Sequence, residues 1–210
     1  YYSNSSKKEV SGCLIAVLDK KTKSTNQTKL AFQDAELKNI FLRNIVVMPD
    51  GSFIVVGEEF YVRIKNNGIP IIINGVANRG TNDYYYYNDI IITSISPDLE
   101  MNWFSRIKKS QKTKNDSGYY SSFYLLPTVN ELVFFYNDHV GNKYIYDNVN
   151  SLDSFRAKME STVGVCVKLN AFGEQEKEAI FWCQKEGIMM RPRAFGSTKS
   201  GSVLVFSHYY

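Results

Sequence analysis

The sequence predicts an all-β fold built from four-stranded antiparallel units that form a β-propeller-like array. Three observations support this prediction. The composition favours strands, because 15 Tyr and 13 Phe occur among the 210 residues. Apolar and polar residues alternate in many short segments, as half-buried strands require. Finally, two long segments resemble each other at a spacing of 78 or 79 positions.

The repeat is defined by landmarks that recur in the same order. Pro49 and Pro127 each follow an apolar run and lie 78 positions apart. Glu58 and Asn137 close the strands that come next, and they lie 79 positions apart, as do the only two tryptophans. Because turn residues such as Asp50-Gly51 stand between the apolar runs, each repeat is predicted to begin with a hairpin.

In chain order, the elements are a half-unit, two complete units and a second half-unit. We place them at 11–32, 43–107, 121–184 and 190–210. Each complete unit contains two hairpins, and stacking units on one another would bury the apolar faces that a single unit leaves exposed. No linker rich in Pro, Gly or Ser interrupts the chain, so residues 1–210 are predicted to form a single domain.

The number of units is too small for a closed ring. Two complete units and two halves amount to three, whereas propellers typically have four to eight blades. We therefore expect part of a larger or incomplete propeller. Two other arrangements are possible. Half-units of two chains could pair with each other, or the units could form an open, non-circular stack. The alternative fold is a β-sandwich whose hairpins are similar by coincidence.

Two further expectations concern single segments. Trp103 and Trp182 fall at matching positions of the two complete units, which predicts that both pack between neighbouring units. In the connection within the second unit, the stretch from Ser151 to Met159 predicts a short helix with Ser151 as its N-cap.

Several phrases resemble those of a known group of proteins. The segments MPDGSFIVVGEEFY, DIIITSISPDLEMNWFSRI and FYNDH are similar to segments of large, uncharacterised, secreted bacterial proteins with propeller-like repeats. The resemblance extends from Arg43 to Asp138 and rests on turn-and-strand phrases. It implies an extracytoplasmic β-repeat protein, in the periplasm or at the cell surface, and it provides no catalytic residues.

Charge and hydropathy argue against two classes of partner. The net charge is +4, and the densest basic stretch runs from Arg106 to Lys114. That stretch contains no aromatic residues on which bases would stack, so we interpret it as a solvated loop. No segment approaches the roughly 20 apolar residues of a membrane helix. We therefore predict neither a nucleic-acid partner nor a membrane span.

Cysteine and histidine are too sparse for a metal or redox site. Three cysteines and two histidines occur, with no C-x-x-C pair. Cys166 and Cys183 flank a predicted hairpin, and we expect free buried thiols there, with a disulfide as the alternative. Nucleotide-binding fingerprints are absent from the sequence as well. The sequence predicts neither a metal nor a cofactor.

The first candidate binding residues are polar groups that follow equivalent strands. In a propeller such positions lie around one ring, so the side chains would converge on a common pocket. Alternatively, they are polar because strand ends meet water. The candidates are Glu58, Glu59, Asn137, Asp138 and His208.

The second candidate is a run of tyrosines in the longest insertion. Consecutive tyrosines in a strand face alternately to its two sides, so two of them can pack while two are exposed. Exposed rings next to Asn and Asp suit sugar or peptide binding, whereas packed rings would only hold the loop. The four residues are Tyr84, Tyr85, Tyr86 and Tyr87.

No arrangement of residues in the sequence indicates a catalytic site. A G-x-S-x-G nucleophile motif is absent, and no nucleophile stands beside Asp138 and His139. The expected function is a non-catalytic binding or scaffold module that recognises a glycan or peptide through loops between units. The alternatives are a glycan-directed hydrolase that uses loop carboxylates, or an assembly module. The latter would pair through half-unit edges, as a homo-oligomer or with the remainder of a longer chain.

Overall fold

Strands dominate the computed structural model, which describes residues 12–31, 37–66, 71–73, 76–78, 80–142, 152–198 and 202–209. The prediction of an all-β fold is confirmed. In chain order the strands are β1 (Gly12–Leu18), β2 (Thr25–Ala31), β3 (Ile40–Val47), β4 (Phe53–Asn66), β5 (Ile71–Ile73), β6 (Val76–Asn78), β7 (Thr81–Ile95), β8 (Met101–Ile107), β9 (Gln111–Lys114), β10 (Tyr124–Pro127), β11 (Glu131–His139), β12 (Thr162–Asn170), β13 (Gln175–Trp182), β14 (Ile188–Met190), β15 (Gly196–Ser197), β16 (Val203–Leu204) and β17 (Ser207–Tyr209).

Helical structure in the described residues is limited to single turns. One α-helical turn, α1, runs over Cys183–Glu186. The 3-10 turns are Val140–Asn142, Met159–Ser161 and Pro192–Ala194. None of the helices among the described residues is long and apolar enough to cross a membrane.

The predicted unit 43–107 contains a sheet with the strand order β3-β4-β7-β8, and β9 also pairs with β7. The turn between β3 and β4 is closed by the Gly51 N–H, which donates to the Met48 carbonyl at 3.0 Å. Gly51 has φ of 83°, a left-handed conformation that glycine adopts without steric cost. The predicted turn chemistry of Asp50-Gly51 therefore forms the first hairpin.

The predicted unit 121–184 contains a four-stranded antiparallel sheet in the order β10-β11-β12-β13. Thr128 closes its first hairpin, because its hydroxyl donates to the Glu131 carbonyl and accepts from the Glu131 N–H. The order of this sheet is sequential, whereas in the first sheet β4 pairs with β7 and β5 and β6 pair with each other.

The two predicted half-units also form hairpins. β1 pairs with β2 in one antiparallel hairpin within 11–32. At the other end, β14 pairs with β17, and β15 pairs with β16 between them. The nested pairing extends over most of the predicted 190–210 segment and begins two residues earlier, at Ile188.

Neither the prolines nor the tryptophans of the repeat have matching positions. Both prolines are exposed, but Pro49 lies within the Met48–Gly51 turn after β3, whereas Pro127 is the last residue of β10 and pairs with Leu132. Trp103, the third residue of β8, pairs with Ser94 close to the β7–β8 turn. Trp182, the last residue of β13, pairs with Val163 at the end of the hairpin remote from its turn. Their spacing of 79 therefore does not reflect equivalent positions in the two sheets.

The prediction of a helix over Ser151–Met159 is wrong where the structure describes that segment, from residue 152 onward. Phe155 instead forms an isolated parallel bridge to Gln111. Its N–H donates to the Ser110 carbonyl at 3.0 Å, and its carbonyl accepts from the Lys112 N–H at 2.9 Å. Because the Phe155 ring is fully buried, tertiary packing has overridden the local helix signal.

The chain forms two compact units. The first contains the described residues up to Glu59 together with Asp89–Ile107, and the second contains Phe60–Asn88 and the described residues from Lys108 onward. The sequence predicted a single domain over residues 1–210, whereas the described residues divide into two compact units. For the protein as a whole, the single domain stays a prediction. Each unit has fully buried apolar residues. Examples are Val56, Ile90 and Ile92 in the first and Phe134, Val165 and Val167 in the second.

Cys166 and Cys183 are free thiols, as expected, and both are buried. Burial raises the pKa of the Cys166 thiol to about 11 and that of the Cys183 thiol to about 12. Both side chains therefore stay neutral near pH 7 and behave as small apolar groups. The side chain of Cys13 lies outside the described residues.

Candidate functional site

Glu58 is fully buried, and it is held by an arginine from the neighbouring strand. Nε and Nη2 of Arg43 lie 2.9 and 2.8 Å from the same carboxylate oxygen. The pairing of β3 with β4 shifts register between Leu42 and Asn44, which leaves Arg43 as an extra residue. Such a bulge re-aims one side chain, and here it brings the guanidinium to Glu58. The following residue, Glu59, is half-buried.

Asn137, in β11 of the second unit, is equally enclosed. Its amide nitrogen donates to the carbonyls of Tyr120 and Met190, each at 2.8 Å. Its amide oxygen accepts from the Met190 N–H at 3.3 Å, and its main-chain carbonyl accepts from the Gln111 amide at 2.8 Å. One buried side chain therefore joins three segments of the second unit, which is a structural role.

Asp138 forms a buried ion pair across the same sheet. Its Oδ2 lies 2.7 Å from Nζ of Lys177, and the side chains are 0% and 5% exposed. Its Oδ1 accepts from the amide of Asn142 and from the N–H of His139, both at 2.8 Å. A substrate in solvent does not reach this carboxylate. The side chain of His208 lies outside the described residues.

The tyrosine run lies in β7, where Tyr87 is buried and the other three tyrosines are half-buried. Tyr87 is 3% exposed, and its ring centroid lies 4.6 Å from that of Phe60. Tyr84 and Tyr86 project from the other face of the strand, where each is half-buried and approached by cationic side chains. Tyr85 has the same strand parity as Tyr87. The Arg193 guanidinium carbon lies 5.6 Å from the Tyr87 centroid, so cations approach tyrosine rings on both sides of the run.

Tyr84 and Tyr86 belong to a surface that spans three strands, which we call the tyrosine–cation face. β4 contributes alternate residues, β7 contributes the two tyrosines, and β9 contributes alternate lysines. The face consists of Tyr61, Arg63 and Lys65 from β4, Tyr84 and Tyr86 from β7, and Lys112 and Lys114 from β9. All seven residues lie in the second unit.

The rings of this face are stacked, and cations lie over them. Tyr61 and Tyr86 stack with centroids 4.5 Å apart and an interplanar angle of 14°. The Arg63 guanidinium carbon lies 5.2 Å from the Tyr61 centroid and 5.4 Å from the Tyr86 centroid. These distances are typical of cation–π contacts, which hold a charged side chain in place without neutralising it.

The lysines continue the same pattern on both sides of the central strand. Nζ of Lys112 lies 5.3 Å from the Tyr84 centroid and 5.6 Å from the Tyr86 centroid. Nζ of Lys65 lies 5.6 Å from the Tyr84 centroid. Lys114 is exposed and pairs through the backbone with Tyr84, as Lys112 pairs with Tyr86. Two rows of cations therefore flank a strip of tyrosine rings.

The positive charge of this face is not balanced by acidic side chains. Within the part of the chain that the structure describes, no Asp or Glu forms an ion pair with Arg63, Lys65, Lys112 or Lys114. Four like charges on β4 and β9, the two strands that flank this part of β7, repel one another and attract anions. Such a face favours an anionic ligand that extends over several residues.

A buried lysine fixes β9 in the position that places Lys112 next to Tyr86. Lys109 is 1% exposed, and its Nζ donates to the Tyr87 carbonyl at 2.9 Å and to Oε1 of Gln111 at 3.0 Å. At the far end of β9, the Asn115 N–H donates to the Asp83 carbonyl at 2.9 Å. The register of β9 against β7 is thus determined at both ends.

The interpretation of the basic stretch Arg106 to Lys114 as a solvated loop is wrong, because its last four residues form β9 and Lys109 is buried. The stretch itself contains no aromatic residues. The aromatic residues are supplied by the paired strand instead, since Lys112 and Lys114 lie opposite Tyr86 and Tyr84. The period-2 spacing in Lys112-Thr-Lys114, matched to Tyr84-Tyr-Tyr86, is the signal that sequence reasoning missed.

Comparisons with known proteins identify no relatives: no family model, no curated protein and no solved structure matches this chain.

Proposed function

We propose that this protein is a non-catalytic binding module whose tyrosine–cation face recognises an acidic glycan. The single observation that carries the proposal is the row of cations over stacked tyrosines with no acidic partner. The sequence suggested recognition through loops, whereas this proposal places recognition on a sheet face. Extended strands present side chains at regular intervals of about 6.6 Å along each strand, which suits a repeating polymer.

An acidic ligand is favoured because the cations form the outermost charged layer of the face. Arg63 and Lys65 form one row and Lys112 and Lys114 form the other, with tyrosine rings between them. A flat polymer with carboxylate or sulfate groups along both edges matches this arrangement. Its sugar rings would pack against the aliphatic stems of the arginine and lysine side chains that lie over the tyrosines.

A glycan is favoured over single-stranded nucleic acid because of where the cations lie. Proteins that bind single strands offer ring faces on which successive bases stack. Here Arg63 lies over Tyr61 and Tyr86, and Lys65 and Lys112 lie over Tyr84. Bases would have to displace these cations, whereas anionic groups would meet them directly.

The test is a binding titration that compares three probes of similar length. These are a sulfated, uronate-bearing oligosaccharide, a neutral oligosaccharide and a single-stranded oligonucleotide. We expect measurable affinity for the first probe and at least about tenfold weaker affinity for the other two. Affinity for the acidic probe should fall steeply between about 50 and 300 mM salt, because screening weakens exposed charges. Equal or tighter oligonucleotide binding would assign the face to nucleic acid.

A double variant and a charge-matched control locate the site. Arg63→Gln with Lys112→Gln removes two charges from the face and should weaken acidic-glycan binding at least about tenfold. Lys20→Gln with Lys29→Gln removes two exposed charges from the first unit and should leave binding within about twofold. Equal losses in both variants would mean that net charge alone is recognised.

We also propose that the β3-β4-β7-β8 strands and the β10-β11-β12-β13 sheet are blades of a propeller-like array in an extracytoplasmic protein. The antiparallel hairpins that begin and end each set of four strands support this arrangement. An experimental structure of the protein tests it. Sheets packed face to face around an axis are expected, and two sheets packed as a sandwich would contradict it.

A further inference from the structure

A groove of about 370 Å³ lies in the second unit, away from the residues that define the tyrosine–cation face. It is open to solvent and is lined by Glu160, Thr162, Trp182, Gln184 and Lys185. These residues come from a 3-10 turn, the start of β12, the end of β13 and α1. The volume is in the range of small-molecule sites, which begins near 300 Å³.

The walls of the groove are anchored to one core cluster. Cys183, the first residue of α1, is fully buried with Phe155 and Met189, and Met159 packs against the same cluster. Anchoring Cys183 leaves Gln184 and Lys185 on the solvent side of the helical turn. Gly187 ends this turn with φ of 67° and donates to the Cys183 carbonyl. The groove is therefore built on rigid elements.

Trp182 provides an apolar platform in the groove. It is the last residue of β13, which is an edge strand of its sheet, and 43% of the residue is exposed. The packing of this ring between units, which the sequence predicted, stays a prediction. Exposed tryptophans combine a wide apolar face with an N–H donor, which suits ligands that are partly apolar and partly polar.

The polar groups around Trp182 offer both donors and acceptors. Glu160, Gln184 and Lys185 are exposed, and Nζ of Lys185 also lies 3.8 Å from Oε1 of Glu186, which offsets part of its charge. The Thr162 hydroxyl donates to the Lys158 carbonyl at 2.6 Å, which leaves its oxygen as an acceptor. This mixture of carboxylate, amide and ammonium groups suits a ligand whose own groups both donate and accept, as hydroxyl groups do.

We propose that this groove is a second ligand site that binds a neutral sugar ring by stacking on Trp182. A pyranose ring has a C–H face that packs on the indole and a rim of hydroxyl groups that both donate and accept. In this proposal the Glu160 carboxylate accepts from one hydroxyl of the sugar, and the Gln184 amide donates to an adjacent hydroxyl. The Lys185 ammonium group donates to a third. The site is independent of the tyrosine–cation face, because it requires no anionic group on the ligand.

The fluorescence of Trp182 also provides a direct signal for ligand binding in the groove. The chain contains two tryptophans, so Trp103→Phe leaves Trp182 as the sole indole reporter. Neutral oligosaccharides from glucan, xylan, mannan and galactan chains are titrated into this variant, and its emission is recorded. At least one of them should change the emission saturably. The affinity should stay constant within about twofold between about 50 and 300 mM salt, because the ligand is uncharged.

Three variants in the natural background define the groove as the binding site, with affinity measured by calorimetry. Trp182→Ala should weaken binding at least about tenfold, and Trp182→Phe should retain part of the affinity through its smaller ring. Gln184→Ala should weaken binding about threefold or more. The double variant Arg63→Gln and Lys112→Gln should bind the neutral sugar normally. An unchanged thermal transition checks that Trp182→Ala still folds.

Three results would overturn the proposal. One is that none of the neutral oligosaccharides binds at about 10 mM while the protein remains folded. The second is binding that Trp182→Ala and Gln184→Ala leave unchanged. The third is a response of Trp182 to a panel of peptides but to none of the sugars, which would assign the groove to a protein partner.

Discussion

Two groups of polar residues in the second unit differ in how their charges are satisfied. Asn137 and Asp138 are fully buried, and their side chains are bonded to main-chain groups and to Lys177. Arg63 and Lys112 lie on the tyrosine–cation face, over rings rather than beside carboxylates. The first group stabilises the fold, whereas the second keeps its charge available to a ligand.

The physical reason for the difference is desolvation. A buried polar group without a partner costs free energy, so a buried network must be nearly complete to be tolerated. A cation that stays at the surface retains its hydration, and an aromatic ring holds it in position without cancelling its charge. Residue type alone therefore does not distinguish a binding residue from a structural one. The partner of each charged group makes that distinction.

The largest expected effect comes from breaking the buried ion pair. Lys177→Met leaves the Asp138 carboxylate buried without its cation, and we expect about 3 kcal/mol of lost unfolding free energy. The measurement is urea unfolding followed by circular dichroism. Lys168→Met is the matched control, because the Lys168–Glu178 pair lies on the same sheet with 36% and 49% exposed side chains. That change should cost about 0–1 kcal/mol.

Similar losses in Lys177→Met and Lys168→Met would remove the contrast between buried and exposed charge on which the comparison depends.

A smaller loss of stability is expected when the amide of Asn137 is removed. Asn137→Ala leaves the carbonyls of Tyr120 and Met190 without their donor, which should cost about 2 kcal/mol. Chemical denaturation measures the change, and acidic-glycan affinity measured at a temperature where the variant is folded should stay within about twofold. A selective loss of binding with full stability would instead make Asn137 a ligand residue.

A ring substitution on the tyrosine–cation face should act mainly on binding. Tyr86→Leu removes the stack with Tyr61 and the contacts to Arg63 and Lys112. We expect about 1 kcal/mol of lost stability and about a fivefold weaker affinity for the acidic oligosaccharide, because the cations become less ordered. Paired calorimetric and denaturation experiments separate the two effects. Unaltered affinity in a folded Tyr86→Leu protein would mean that the rings do not support the cations.

The smallest effect concerns the buried thiol of Cys183, whose pKa is raised to about 12 by burial. In the unfolded chain the thiol ionises near pH 8.5. The contribution to stability is therefore fully present below that pH and is lost as pH rises from the unfolded pKa toward about 12. Between about pH 8 and pH 9, the natural chain should lose about 0.7 kcal/mol more unfolding free energy than Cys183→Ala. Parallel slopes for the two proteins would contradict the buried, neutral thiol.

Much of the strand architecture was predictable because its signals are local. Alternation and the turn residues around Gly51 and Thr128 identified hairpins that belong to the two largest sheets. The spacing of Trp103 and Trp182 was misleading, because their positions relative to the β7–β8 and β12–β13 turns differ. A constant spacing in sequence does not guarantee an equivalent register.

The candidate site was only half predictable. The tyrosine run indicated a binding surface, and within it Tyr87 is buried whereas the other three tyrosines are half-buried. The cations were missed because Lys112 lies 26 residues from Tyr86, and only pairing of β9 with β7 brings them together. Phe155 illustrates the same limit, since its bridge to Gln111 depends on a distant strand rather than on local helix propensity.

The most direct test of the central claim is an amide chemical-shift titration of the ¹⁵N-labelled protein with a sulfated, uronate-bearing oligosaccharide. Our account predicts that the largest saturable shifts occur at 61–65, 84–86 and 112–114, and that 0.5 M salt abolishes them. Shifts confined to residues outside these three strand segments, or no shifts at a saturating oligosaccharide concentration, would contradict it.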